Sequence, residues 1–214
     1  MALTGFDPEI VNSSIRSVTS AYDSLIKALG DDMQLQFIGG MADKWACNHA
    51  QSFFNNAFKP AIDSLIQSSN TIFESVVNAM NSAGQAWAAQ TDSSYSPQSF
   101  SPIPKKMDTS GILENIAGVR GIDLTEALTV AGKLPGIAES AKSALTSAQQ
   151  AVEQCGFMGG SQAANLISSL GIIKSRIDTA TQDIVNETKT AIDTTVTNYS
   201  NTEGKISEAF SAEG

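Results

Sequence analysis

Cys47, His49 and Ser52 are the residues whose types could supply a nucleophile and its base, and they stand close together in the chain. A thiol or a hydroxyl becomes a nucleophile when a base such as histidine lies within hydrogen-bond reach. The surrounding pattern predicts a helix, on which residues two positions apart point in different directions. Cys47 and His49 therefore cannot face each other. We expect His49, the one histidine of the chain, to lie on the helix surface or to be partly buried.

Motifs for metals, phosphates and acid–base catalysis are also missing. Cys47 and Cys155 are the two cysteines of the chain, their spacing fits no zinc site, and we expect both to be free thiols. No glycine-rich phosphate loop follows a predicted strand. Glu114, Asp123 and Glu126 lie near predicted helix starts, where carboxylates typically act as caps. We therefore expect no metal, no cofactor and no enzymatic activity.

Composition and charge predict a folded protein that does not bind nucleic acid. Apolar residues make up 42% of the 214 residues and charged residues 16%, which leaves enough apolar surface for a core. The net charge of −9 repels phosphate backbones, and Lys105 with Lys106 is the densest basic spot. No run approaches the roughly 20 apolar residues of a membrane span, so no membrane insertion is expected. The first residues lack the features of a Sec signal peptide, which predicts synthesis in the cytoplasm without a cleavable leader.

Apolar residues alternate at spacings of four and three in four long stretches, which is typical of helices with one buried face. Helix 1 is predicted from about Asp7 to Leu29, because Asp7 suits the N-cap position and Gly30 suits the C-terminal end. Its apolar stripe comprises Val11, Ile15, Val18, Tyr22, Leu25 and Leu29. Helix 2 is predicted over about 42–89, with a kink at Pro60 or two helices in series.

The second half of the chain shows the same layout of two helices. Helix 3 is predicted over about 123–154, broken early by Pro135 and its neighbouring glycines, and helix 4 over about 166–199. A short helix is predicted over 112–119. No stretch alternates with period two for more than a few residues, so no sheet is expected.

Residues 91–110 differ from the flanking helices, because the helical periodicity stops and Ser, Pro and Gln accumulate. We interpret this segment as a linker between two helical hairpins, residues 1–90 and 111–214. Similar sequences close the gap in each hairpin and suggest a duplicated unit whose turns contain the glycines: Phe37-Ile38-Gly39-Gly40 and Phe157-Met158-Gly159-Gly160. The predicted fold class is all-α, a four-helix bundle formed by two antiparallel hairpins, and thus a pseudo-dimer in one chain.

Trp45 stands shortly after the first Gly-Gly pair, in the sequence Trp45-Ala46-Cys47 at the predicted start of helix 2. A tryptophan in the turn of a helical hairpin resembles the WXG-motif (early-secreted-antigen-like) superfamily of bacterial type VII secretion substrates. The family motif is Trp-x-Gly, and this chain departs from it with Cys47 in the third position. The fusion of two hairpins, Pro60 and the length of helix 2 are further departures. They leave open whether the chain corresponds to a conventional secreted pair or to a divergent relative.

The sequence Tyr199-Ser200-Asn201-Thr202-Glu203 resembles a second feature of that superfamily, a Tyr-x-x-x-Asp/Glu sequence just beyond the last helix of one partner. It falls in the half without the tryptophan. In the family the hairpins pair antiparallel, and the two motifs form one composite signal. The resemblance implies that Trp45 lies beside Tyr199 and Glu203, in a site read by the secretion ATPase or by an effector partner. It further implies a protein that is secreted or displayed at the cell surface.

The linker is long enough for antiparallel hairpins. It would have to run the length of the bundle, about 45 Å for a helix of roughly 30 residues. About 20 extended residues reach about 66 Å. We expect a monomer, because each hairpin finds its partner within the chain.

Two other functions remain open. The first is a structural helical assembly protein of a phage or a cell surface, which would leave exposed heptad stripes after the four-helix core is filled. The second is a helical membrane-active toxin, which would require an exposed apolar patch formed by Trp45, Phe53, Phe54 and Phe58. Core packing explains these aromatic side chains better.

Overall fold

The chain folds as a four-helix bundle of two antiparallel hairpins, which confirms the predicted fold class. The computed structural model describes residues 6–212, and the side chains of Glu203, Gly204 and residues 206–212 lie outside that description. In chain order the elements are α1 Pro8–Ile26, the π-helix π1 Lys27–Ile38, α2 Gly39–Met41, β1 Trp45–Ala46, α3 Asn48–Phe53, the π-helix π2 Phe54–Phe58, α4 Lys59–Gln90, β2 Gly121–Ile122, α5 Leu124–Ala131, α6 Leu134–Gln154 and α7 Gly160–Ala212. Within the described residues, no helix is both long and apolar enough to cross a membrane.

The two hairpins pack head to tail. Each main helix contacts two neighbours, in the cyclic order α1, α4, α7 and α6. Trp45, ahead of α4, donates a hydrogen bond to Thr195 near the end of α7, whereas Trp87 at the end of α4 donates one to the carbonyl of Phe157 ahead of α7. The turn of the first hairpin and the C-terminal part of α7 therefore share one end of the bundle, here termed the upper end. The turn of the second hairpin lies at the lower end.

The predicted apolar stripes form the core of the bundle. The stripe of helix 1 is fully covered, and so is that of helix 3, which comprises Leu134, Ile137, Ala141, Leu145, Ala148 and Val152. Helix 3 is broken between α5 and α6, as the glycines around Pro135 predict. Cys47 is buried at the upper end and Cys155 at the lower end, both as free thiols.

Helix 1 begins as predicted but ends later. The Asp7 carboxylate accepts a hydrogen bond of 2.9 Å from the Glu9 amide, as expected for an N-cap. The predicted end at Gly30 is wrong, because the chain continues through π1 and α2 to Met41. Buried residues recur there at every fourth position: Leu25, Leu29, Met33, Phe37 and Met41. A π-helix holds more residues per turn than an α-helix, so this spacing keeps one face on the core.

The glycines predicted to form the two turns take different positions. Gly39 and Gly40 lie in the helix, and the first hairpin reverses direction over 42–47 instead. The position of Gly40 is explained by α5, because a Cβ atom there would lie 3.0 Å from the Val130 side chain. Gly159 does lie in the second turn and Gly160 begins α7. The turn glycine in the left-handed region is Gly156, with φ +66°, directly after α6 and its final cap residue.

Helix 2 begins at Asn48 and not near residue 42, and the expectation of no sheet is wrong at one point. Trp45–Ala46 pairs antiparallel with Gly121–Ile122, and the Asp123 amide donates to the Lys44 carbonyl at 2.7 Å. The disturbance expected at Pro60 is present as π2, which directly precedes α4. Because proline lacks an amide hydrogen and crowds the preceding turn, the wider π-helical turn accommodates it.

The linker is an ordered segment that runs from the lower to the upper end along the groove between α1 and α4. We term residues 93–109 the strap. Asn81 of α4 holds its first part, accepting from the Gln98 amide and donating to the Gln98 carbonyl, both at 2.9 Å. The Tyr22 hydroxyl accepts from the Ile103 amide and donates to Asn70. Farther up, Lys105 pairs with Asp31 and passes directly over Gly30, where a Cβ atom would clash with it.

Candidate recognition site at the upper end

Trp45 lies in the centre of the upper end and is fully buried. Its ring stacks on Phe53 at a centroid distance of 6.0 Å and meets Phe54 edge to face at 6.3 Å. Phe53, Phe54 and Phe58 are themselves covered, with exposed fractions of 6% or less. These aromatic side chains therefore form core and not the exposed apolar patch that a membrane-active toxin would require.

A hydrogen bond joins Trp45 to the C-terminal part of α7. The indole nitrogen donates to the Thr195 hydroxyl at 3.3 Å, over a separation of 150 residues in the chain. Thr195 in turn donates to the Ala191 carbonyl at 2.8 Å, and its hydroxyl lies 3.8 Å from the Cys47 thiol. Thr195 is almost fully buried. The turn of the first hairpin is thus fixed to α7 one helical turn before Tyr199.

Tyr199 forms the solvent-facing part of this end, with 36% of the residue exposed. It lines a cleft of about 280 Å³ together with Cys47, His49, Arg120 and Asn198, among others. Partial burial raises the pKa of the Tyr199 phenol, while the nearby Arg120 guanidinium acts in the opposite direction. The phenol is therefore neutral near pH 7, and it can donate a hydrogen bond to a partner.

The structure brings Trp45 and Tyr199 to the same end of the molecule, as the antiparallel pairing implied. The predicted end of helix 4 near Tyr199 is wrong, because α7 continues to Ala212 and the Tyr199–Glu203 sequence lies within the helix and not beyond it. The side chain of Glu203, the third residue of the predicted signal, lies outside the described residues. His49 is exposed beside the cleft, and Cys47 is buried. Within the described residues, no group of three or more His, Cys, Asp or Glu side chains could hold a metal ion.

A tight β-turn lies just before Arg120, where a short helix was predicted over 112–119. Ile116 and Val119 exchange both backbone hydrogen bonds at 2.9 Å. Ala117 and Gly118 between them have φ values of +52° and +84°, a conformation that an α-helix does not allow. Val119 is 68% exposed, and the next residue, Arg120, lines the cleft of Tyr199. We term residues 116–119 the apolar tip.

Sequence reasoning missed two residues of this site. Thr195 continues the buried register of helix 4 after Ile184, Thr188 and Ile192, so a polar residue on that stripe was the available signal. Arg120 gave no signal, because it stands in a segment whose turn could not be predicted from periodicity. Comparisons of the chain with models of known protein families, with curated proteins and with solved structures found no match.

Proposed function

We propose that this chain is a non-enzymatic substrate or partner protein of a bacterial type VII secretion system, recognised at its upper end. Its partner is the secretion ATPase or an effector protein that travels with it. In this proposal the chain is exported or displayed at the cell surface by the type VII route. Trp45, Tyr199 and Glu203 carry the recognition signal in this proposal.

The observation that supports the proposal best is the hydrogen bond from Trp45 to Thr195. It connects the tryptophan of one hairpin to the C-terminal part of α7 in the other, one turn from Tyr199. A composite signal requires such a connection, since each hairpin carries only one of the two motifs. Trp45 is inaccessible to a partner because it is fully buried, so its role is to position the surface around Tyr199.

The surface around Tyr199 has the composition of a protein-binding site. The half-buried Tyr199 ring offers a hydroxyl and an aromatic edge, and interface centres are enriched in tyrosine. The apolar tip supplies Ile116 and Val119, both exposed, beside Arg120. A partner that covers this surface would bury apolar side chains that the chain itself leaves in water.

Export from a strain that secretes the wild-type protein tests the proposal. We expect Tyr199→Ala and Glu203→Ala to lower the secreted fraction at least tenfold while the protein accumulates inside the cell. Both variants should keep their helicity, so that a loss of export reports lost recognition and not unfolding. The secreted and retained fractions would be measured by quantitative immunoblotting, and folding by circular dichroism.

Glu153→Ala is the matched control, because Glu153 is an exposed acid at the lower end of the bundle. It should leave export unchanged. Tyr199→Phe separates the aromatic ring from the hydroxyl and should retain most export if the ring is what the partner reads. Undiminished secretion of folded Tyr199→Ala and Glu203→Ala proteins would refute the proposal.

The two alternatives lack a supporting observation. A structural assembly protein would need an exposed heptad stripe. On the described parts of the four main helices, however, the exposed large apolar residues stand far apart and form no such stripe: Ile10 on α1, Trp87 on α4, and Ile172 and Tyr199 on α7. A membrane-active toxin would need the buried aromatic cluster around Trp45 to be accessible.

A further inference from the structure

An open groove of about 1120 Å³ runs between α4 and α7. The strap covers the corresponding groove between α1 and α4, but no described segment covers this one. Small side chains dominate both of its walls, among them Ala61, Ser64, Ser68, Gly171, Ser175 and Ala180. Ile172 lies in the groove and is 50% exposed, the most exposed large apolar residue described on α7. The groove is thus open, shallow and accessible to a helix.

Arg176 and Asp183 carry opposite charges on the α7 side of the groove. They are seven positions apart, or two helical turns, and therefore lie on the same face of α7. Arg176 donates to the Ser68 hydroxyl at 3.1 Å. In the described part of the chain, neither Arg176 nor Asp183 takes part in an ion pair. Both charges are exposed and available to a neighbouring molecule.

We propose that this groove binds α7 of a second copy of the chain, in a twofold symmetric dimer. If the two α7 helices cross antiparallel with the symmetry axis between Thr179 and Ala180, residues equally far from the axis face each other. Arg176 lies three positions before Thr179, and Asp183 lies three positions after Ala180. Each copy then places Arg176 against Asp183 of the other copy, and the same pair forms twice.

The small residues near the axis allow the two helices to approach closely. Ser175, Thr179 and Ala180 present little bulk, and α4 contributes Ala61 and Ser64 on the opposite wall. The register also covers Ile172, which would lie beside the aliphatic stem of Glu187 from the other copy. The second copy is favoured over an unrelated helix because it already carries the complementary charges at the required spacing.

The size of the contact predicts a weak dimer. The groove spans about 20 residues of α7, or roughly 30 Å, and two helices are about 20 Å wide. Each copy would therefore bury roughly 600 Å², or about 1,200 Å² in total, at the lower limit for specific interfaces. We expect a dissociation constant of about 10–100 µM. This proposal departs from the expectation of a monomer, which rested on each hairpin having little apolar stripe left to bury.

Sedimentation velocity over a concentration series at about 0.15 M salt tests the dimer by charge exchange. We expect Arg176→Asp and Asp183→Arg each to raise the dissociation constant roughly tenfold, since each reversal creates two like-charge contacts across the axis. The double variant restores both pairs and should return to within about threefold of the wild type. Arg16→Asp, the same charge change at an exposed position of α1, is the control and should have no effect.

Disulfide cross-linking tests the position of the axis. A cysteine at Thr179 would lie next to its symmetry mate and should cross-link two copies under mild oxidation. A cysteine at Ser168, equally exposed but far from the axis, should not. The native Cys47 and Cys155 are buried and do not compete. A wild-type protein that stays monomeric to about 500 µM, or a dimer unaffected by either charge reversal, would overturn the inference without bearing on recognition at the upper end.

Discussion

Cys47 stands where the Trp-x-Gly motif that this segment resembles has glycine, and its backbone explains why no glycine is required there. Its φ and ψ of −167° and 171° are extended, a conformation that any residue adopts. The Cys47 side chain is buried against the Thr195 hydroxyl, where a glycine would leave a gap. The departure from Trp-x-Gly is therefore compatible with the turn and adds packing to it.

Thr195→Val should destabilise the protein although it preserves shape. Valine removes the hydroxyl that accepts from the Trp45 indole, and a buried donor without a partner costs about 1–3 kcal/mol. Thr194→Val is the matched control, because Thr194 is exposed on the same turn and bonds only the Thr190 carbonyl. Urea unfolding would measure the free energy of unfolding of both variants. Equal losses for the two variants would show that the bond to Trp45 contributes nothing.

At the scale of elements, the strap depends on a few side-chain amides of the helices beneath it. Asn81→Ala removes both hydrogen bonds to Gln98 and the acceptor for the Tyr95 hydroxyl. We expect the free energy of unfolding to fall by about 2–3 kcal/mol and thermolysin to cleave the strap near Phe100 and Ile103 at least tenfold faster.

Asn78→Ala is the control for the strap, since Asn78 is exposed one helical turn away on α4. Thermolysin should cleave the strap of this variant at the wild-type rate. If Asn81→Ala destabilises the protein but leaves the strap equally resistant, the strap is held by its apolar side chains, such as Phe100 against Tyr22, and not by the amides.

The elements that could be predicted from the sequence are those determined by residues close together in the chain. The Asp7 cap, the apolar stripes and the break near Pro135 all rest on residues within one or two helical turns. The sequence predicts a helix end at Gly30, yet the residue is a glycine because Lys105 passes over it, and that contact spans 75 positions. The sequence also predicts a helix at Trp45, but the extended backbone of Trp45 depends on pairing with Ile122. Periodicity carries no information about such distant partners.

The candidate site likewise has one part that could be predicted from the sequence and one part that could not. The shared end for Trp45 and Tyr199 followed from antiparallel hairpins, which the linker length allowed. Arg120 and the apolar tip could not be foreseen, because Ala117 adopts a positive φ that its residue type does not favour. The role of Tyr199 and Glu203 as a signal stays a prediction.

For the whole molecule, the tyrosines predict a loss of stability at alkaline pH. Burial is the main cause that raises the pKa of Tyr22, Tyr95 and Tyr199 above 10.0, because it disfavours the phenolate. A raised folded-state pKa contributes stability that is complete below about pH 10 and is lost as pH rises through the folded value. Lys142, whose pKa is raised to about 12 by Glu139 and Asp178, acts in the same direction.

Urea midpoints measured between about pH 8 and pH 11.5 should therefore fall, most steeply above about pH 10. Tyr22→Phe should make the urea midpoint fall less steeply with pH, since Tyr22 is 1% exposed and its hydroxyl donates a hydrogen bond to Asn70. Tyr199→Phe, at a position one-third exposed, should have a smaller effect. A slope that is identical in all three proteins would exclude Tyr22 and Tyr199 as sources of the alkaline loss.

The strap also determines which fragment of a divided chain keeps the contacts of the linker. Because it docks on α1 and α4, a cut after residue 110 leaves the first fragment with its own third layer, whereas a cut at residue 90 strips that layer away. Two fragments, 1–110 and 111–214, would reassemble as a bimolecular complex whose stability depends on concentration. In the intact chain, the tether supplies a local concentration in the range of about 1 mM regardless of expression level. The fusion thus removes the need to match the amounts of two partners, a cost that separate hairpins must bear.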